Sequence, residues 1–138
     1  MENKDLNRWL AINVRGVKEL SLAEMEKEAL SVWESQPGCQ VFDKGFFAHR
    51  EGGKVIVEQS FANYTGDDKE ASKIRRQLLS MFPGCTLSLF TANGEFNASF
   101  THGQLYHQVA EQQESLVWCQ LAFKVISSIT NLNDHLSL

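Results

Sequence analysis

Little in this 138-residue chain advertises chemistry. It holds three cysteines, Cys39, Cys85 and Cys119, and no CxxC pair. An odd count without that pair fits small buried thiols kept reduced in a cytoplasm, the location we expect, with a Cys39–Cys85 disulfide between equivalent places of the chain as the lesser alternative. Four histidines, His49, His102, His107 and His135, lack HxxxH and HxH spacing, so no metal ligand set is written locally and no cofactor is expected. GxGxxG, Walker, GxSxG and HExxH patterns are all missing, which removes the corresponding nucleotide-binding, hydrolase and metalloprotease classes. No stretch approaches the roughly eighteen apolar residues of a membrane span, and Met1 to Asp5 does not lead into a signal-like apolar run. A basic excess is absent too. The net charge of −4 argues against general affinity for nucleic acid or an anionic membrane.

What is present is enough apolar residue, 43% against 22% charged, for one α+β domain over residues 1–138, with a flexible tail from about Asn131. The two prolines both fall in Pro-Gly-Cys, at Pro37-Gly38-Cys39 and Pro83-Gly84-Cys85. Each follows an amphipathic run and precedes a hairpin pattern, turning at Gly52-Gly53 in the first and at Asn93-Gly94 in the second. An α-β-β unit therefore occurs twice.

In chain order, Arg8 to Arg15 alternates, with Leu10, Ile12 and Val14 on one face and Trp9 on the other, and reads as a half-buried strand. Ser21 and Glu24 form a capping box, and the helix they open closes at Pro37-Gly38. Cys39 to Arg50 is strand-like with a break at Lys44-Gly45, and Lys54 to Phe61 returns. Asp67 and Asp68 cap a helix whose apolar stripe is Ala71, Ile74, Leu78, Met81 and Phe82. A second hairpin follows, and after Thr101-His102-Gly103 a third, long helix is expected to about Ile129. The order β-α-β-β-α-β-β-α begins as ferredoxin-like folds do: an antiparallel sheet with helices on one face. That architecture hosts many functions and assigns none.

Candidate sites follow from these placements. Lys44-Gly45-Phe46-Phe47-Ala48 resembles the opening of the RNA-stacking segment of RRM domains, but His49-Arg50 replaces its apolar-x-aromatic ending, so the phenylalanines read as sheet residues. Lys69, Lys73 and Arg76 make a basic stripe that charge pairing with Glu70 explains equally well. A His102–Tyr106–His107 group offers an acid–base pair only if a carboxylate comes within reach, so catalysis is the lesser expectation. The favoured reading is a non-enzymatic module binding a small molecule or a protein, through the open sheet face or a cleft beside the last helix. Trp9, Phe47, His49 and Tyr106 are its expected ligand residues. From Leu116 to Ile129 the last helix is apolar around most of its circumference, more than one sheet covers. A homodimer closing over Trp118, Phe123 and Ile126 is the expected consequence.

Overall fold

The computed structural model describes residues 1–16, 23, 27, 40–41, 46–51, 54–59 and 61–136, with the strands of 40–59 and the end of the last helix, 131–136, given by backbone alone. The chain divides into two compact units, one of Met1–Leu10 with Asn63–Leu138, the other Ala11–Ala62. The class is mixed α+β. Among the described residues it comprises three complete helices and two three-stranded antiparallel sheets. A ferredoxin-like arrangement is not confirmed, because each sheet joins its strands in sequence order, without a crossover.

The first departure is at the N-terminus. Residues Asn3–Asn13 form helix α1, not a strand. Leu10, Ile12 and Val14 alternate, but Leu6, Leu10 and Val14 also repeat every fourth residue, and these three are buried whereas Ile12 is only half-buried. The longer period wins because it carries Leu6 into the core as well.

In the second unit, β1 (Gln40–Val41), β2 (Phe46–Glu51) and β3 (Lys54–Gln59) form a meander. Gln40 pairs with Ala48 and Val41 with Phe47, antiparallel. The strand-like run expected from Cys39 to Arg50 thus contains two paired strands, and the bulge or bend expected at Lys44-Gly45 lies outside the described residues. The β2–β3 hairpin forms as expected, with Glu51 opposite Lys54. The first helix, Pro37-Gly38-Cys39 and Gly52-Gly53 fall outside the described residues, apart from Ala23 and Lys27, which are both helical.

The first unit follows the sequence more closely. Asp67 caps helix α2 (Asp68–Met81), its carboxylate accepting from the Lys69 and Glu70 amides at 2.9 and 3.4 Å. Ala71, Ile74 and Leu78 are buried on one stripe, whereas Phe82 is half-buried and Met81, expected on the same stripe at the helix end, is exposed. The helix stops at Phe82-Pro83-Gly84-Cys85, where the Cys85 amide donates to the Phe82 carbonyl at 3.0 Å and Gly84 has φ +88°, the pattern of a type II turn. Strands β4 (Thr86–Ala92), β5 (Glu95–His102) and β6 (Leu105–Glu111) make the second meander.

Strand β6 replaces the first part of the expected long helix. Gly103, at φ +61°, is the first central residue of a two-residue turn flanked by the His102–Leu105 pair, the place a type II′ hairpin needs glycine. Leu105, His107, Val109 and Glu111 then turn inward while Tyr106, Gln108 and Ala110 face out. Helix α3 starts only at Glu114 and runs to Leu136, through the stretch expected to be a frayed tail.

Helix α3 seats on the inner face of β5 and β6, and α2 packs against α3. Val117, Trp118, Leu121 and Val125 bury against Ala98 and Phe100 of β5, with Phe82, Leu87, Phe96, Leu105, Val109 and Ile129 around them. The start of α3 is tied down by a buried hydrogen bond from the Ser115 hydroxyl to the Thr65 carbonyl, 2.8 Å. Asn7 of α1 holds the same loop, its side-chain carbonyl accepting from the Thr65 amide at 3.0 Å.

The β4–β5 turn sets a test of this sheet. Asn93 and Gly94 have φ +56° and +76°, so a β-branched residue at the second position is strained even though nothing crowds it. Gly94→Val is expected to cost about 1–3 kcal/mol, read as a lower urea midpoint at unchanged m-value.

Candidate functional site

A cleft of about 420 Å³ opens between α2, β4 and α3. Its wall from α2 is Asp68, Ala71, Ser72 and Arg75, a single helical face at i, i+3, i+4 and i+7. Leu87 and Leu89 from β4 form the floor, and Glu114 and Trp118 come from one face of α3. The cleft exists because α3 seats over β5 and β6, leaving the inner side of the edge strand β4 partly open. Leu89 is consequently 37% exposed although it is on the inner face.

Charge in the cleft is arranged but not internally neutralised. The Arg75 guanidinium carbon stands 5.8 Å from the Trp118 ring centroid, a cation–π contact over an indole that is itself only 7% exposed. Arg75 makes no ion pair among the described residues, and the Asp68 and Glu114 carboxylates accept no hydrogen bond there. The Ser72 hydroxyl is used within its helix, donating to the Asp68 carbonyl at 2.9 Å.

The residues expected from sequence are dispersed. Trp9 lies on α1, half-buried, its ring edge-on to Phe123 at 4.8 Å. Tyr106 is on the outer face of the second sheet, 59% exposed, donating to the Gln108 side-chain oxygen at 2.8 Å. Phe47 and His49 lie on β2, opposite Glu58 and Ile56. Of the residues offered for dimerisation, Trp118 is in the core and lines the cleft, Phe123 contacts Trp9, and Ile126 is half-buried. In the basic stripe, Lys73 pairs with Glu70 at 3.0 Å while Lys69 and Arg76 are exposed. Arg75, one position from Arg76, turns the other way, onto Trp118.

His102 and His107 share the inner face and flank Phe100, their rings 6.3 and 6.5 Å from its centroid. Tyr106 points to the opposite side. The His102 Nε2 lies 3.2 Å from the Pro83 carbonyl, so that nitrogen is the donor. The His107 Nε2 is buried without a partner. Neither ring meets a carboxylate among the described residues, and no described cluster of three His, Cys, Asp or Glu could hold a metal. Cys119 is fully buried and its thiol is pushed up to about 12 by burial, while Cys85 is half-buried and also raised by burial. Both are poor nucleophiles. No described helix is long and apolar enough to cross a membrane.

No family model matches this chain, and no curated protein matches it. A solved phage protein from Bacillus cereus ATCC 14579 has a similar fold, with a TM-score of 0.51 over 92% of this chain and 89% of that one, at 10% sequence identity. At that identity the likeness concerns the fold alone.

Burial, and then the Lys124 ammonium, hold the His107 pKa below its ordinary 6.5. The folded state therefore binds this proton less readily than the unfolded one. The stability His107 contributes is complete above its unfolded pKa and is lost as pH falls through the folded value. Wild type should lose more thermal stability between pH 8 and pH 5 than His107→Leu. Calorimetry at the two pH values checks this, and parallel losses would contradict it.

Proposed function

We propose that this protein is a non-enzymatic binding module whose ligand, a small molecule or a group presented by a protein partner, enters the cleft between α2, β4 and α3. The observation that carries the reading is Arg75, held over Trp118 without an ion pair among the described residues, above the partly exposed Leu87 and Leu89. Sites for small ligands typically combine an apolar floor with a few polar groups fixed in direction, and this is such a combination. A volume of about 420 Å³ is within the range such sites occupy.

The enzymatic reading, with His102 or His107 as acid–base group, has less support. General acid–base work needs a ring nitrogen facing substrate, whereas His102 faces the Pro83 carbonyl and the His107 Nε2 is buried in the sheet–helix layer. Homodimerisation through α3 would have a small surface to use. Val117, Trp118, Leu121 and Val125 already pack against the sheet, which leaves Phe123 and Ile126 half-buried as the surface available to a second copy.

A fragment library screened by amide chemical shifts tests the reading. Hits are expected to move Ser72, Arg75, Leu87, Leu89 and the Trp118 indole, and Arg75→Gln should weaken them by about tenfold, the worth of one charge-assisted hydrogen bond. Tyr106→Ala should leave them unchanged. Hits confined to other surfaces, or none, would contradict the assignment.

A further inference from the structure

Resting on the cleft as the ligand site, we infer that its ligand is a zwitterion with an apolar body. Its carboxylate meets Arg75, its ammonium meets Asp68 and Glu114, and its apolar part lies on Leu87, Leu89 and Trp118. The cleft offers one cation and two carboxylates over an aliphatic and aromatic floor. A phosphate or other compact polyanion would suit Arg75 but bring its charge towards Asp68 and Glu114. A plain cation would suit the carboxylates but face Arg75, which is already held on Trp118. An uncharged apolar ligand would cover a guanidinium that has no ion pair among the described residues, at the cost of desolvating it. Only a ligand carrying both signs meets all three groups favourably.

The two acids alone would say little, since both stand in the first turn of a helix, where a carboxylate is favoured anyway. It is Arg75 that makes the set selective. The structure also bears on ligand length. Asp68 and Arg75 are seven residues apart on α2, which separates their Cα atoms by about 10 Å along the helix axis. Neither carboxylate is within ion-pair reach of Arg75, so the cleft presents its charges separately, which suits a ligand whose own charges are several ångströms apart. A dipeptide-sized molecule fits this better than a single amino acid.

The test compares three probes of one body: leucyl-leucine with both termini free, its N-acetyl form, which is only anionic, and its C-terminal amide, which is only cationic. Each is titrated to about 10 mM, a range that resolves weak dissociation constants, following the Ser72, Leu87, Leu89 and Trp118 indole resonances. The free dipeptide should bind at least about tenfold more tightly than either blocked form, the ratio expected from one charge-assisted contact. Arg75→Gln should abolish its advantage over the amide, and Asp68→Asn with Glu114→Gln its advantage over the acetylated form. Retained amide dispersion in each variant confirms folding. If a blocked form binds as well as the free dipeptide, the zwitterion assignment falls while the cleft stands. If none of the three moves these resonances although library fragments do, the ligand class is likewise wrong. If neither the probes nor the fragments move them, the cleft reading itself falls.

Discussion

The contact on which the first unit depends is the seating of α3 against β5. Phe100 and Ala98 present an apolar surface at the middle of a three-stranded sheet, and Val117, Trp118, Leu121 and Val125 close over it. The inner face of this meander is apolar and costly to leave in water, so its burial under α3 is a main stabilising contribution to the sheet. Phe100 is fully buried, and a truncation of that kind costs about 3–5 kcal/mol in well-packed cores. The buried Ser115 and Thr65 are consistent with this, since both are hydrogen-bonded and neither subtracts from the core.

The cleft is a consequence of the same seating. A single helix cannot cover three strands at once, and α3 lies over β5 and β6. Helix α2 then packs on α3, and the space left above β4 is walled by the faces those helices turn towards it. Trp118 belongs to both structures: it is part of the core cluster and it supports Arg75. Rigidity at the site therefore comes from the core and requires no separate scaffold.

Much of this was legible in the sequence where a local signal had no competitor. Asp67, the stripe Ala71, Ile74 and Leu78, the stop at Pro83-Gly84 and the turn at Asn93-Gly94 each have one physical reading, and each appears in the fold. The N-terminal segment had two readings, because Leu10 and Val14 satisfy periods of two and of four, and Leu6 was the residue that decided. Strand β6 was hidden because His107 and Glu111 occupy inward positions that an apolar strand face would normally fill. The sequence offers both the open sheet face and a cleft beside the last helix and does not choose between them. Which residues line the cleft depends on which strand α3 leaves open, and no periodicity encodes that. Arg75 thus read as a neighbour of a basic stripe, and Trp118 as a dimer contact.

The central claim is that Trp118 is both buried beneath α2 and the platform for Arg75. Nuclear Overhauser effects from the Trp118 indole protons in isotope-labelled protein test it most directly. The account predicts cross-peaks to the Arg75 side-chain methylenes and to the Leu87 methyls. An indole without either, or one whose contacts are to another copy of the chain, would contradict it.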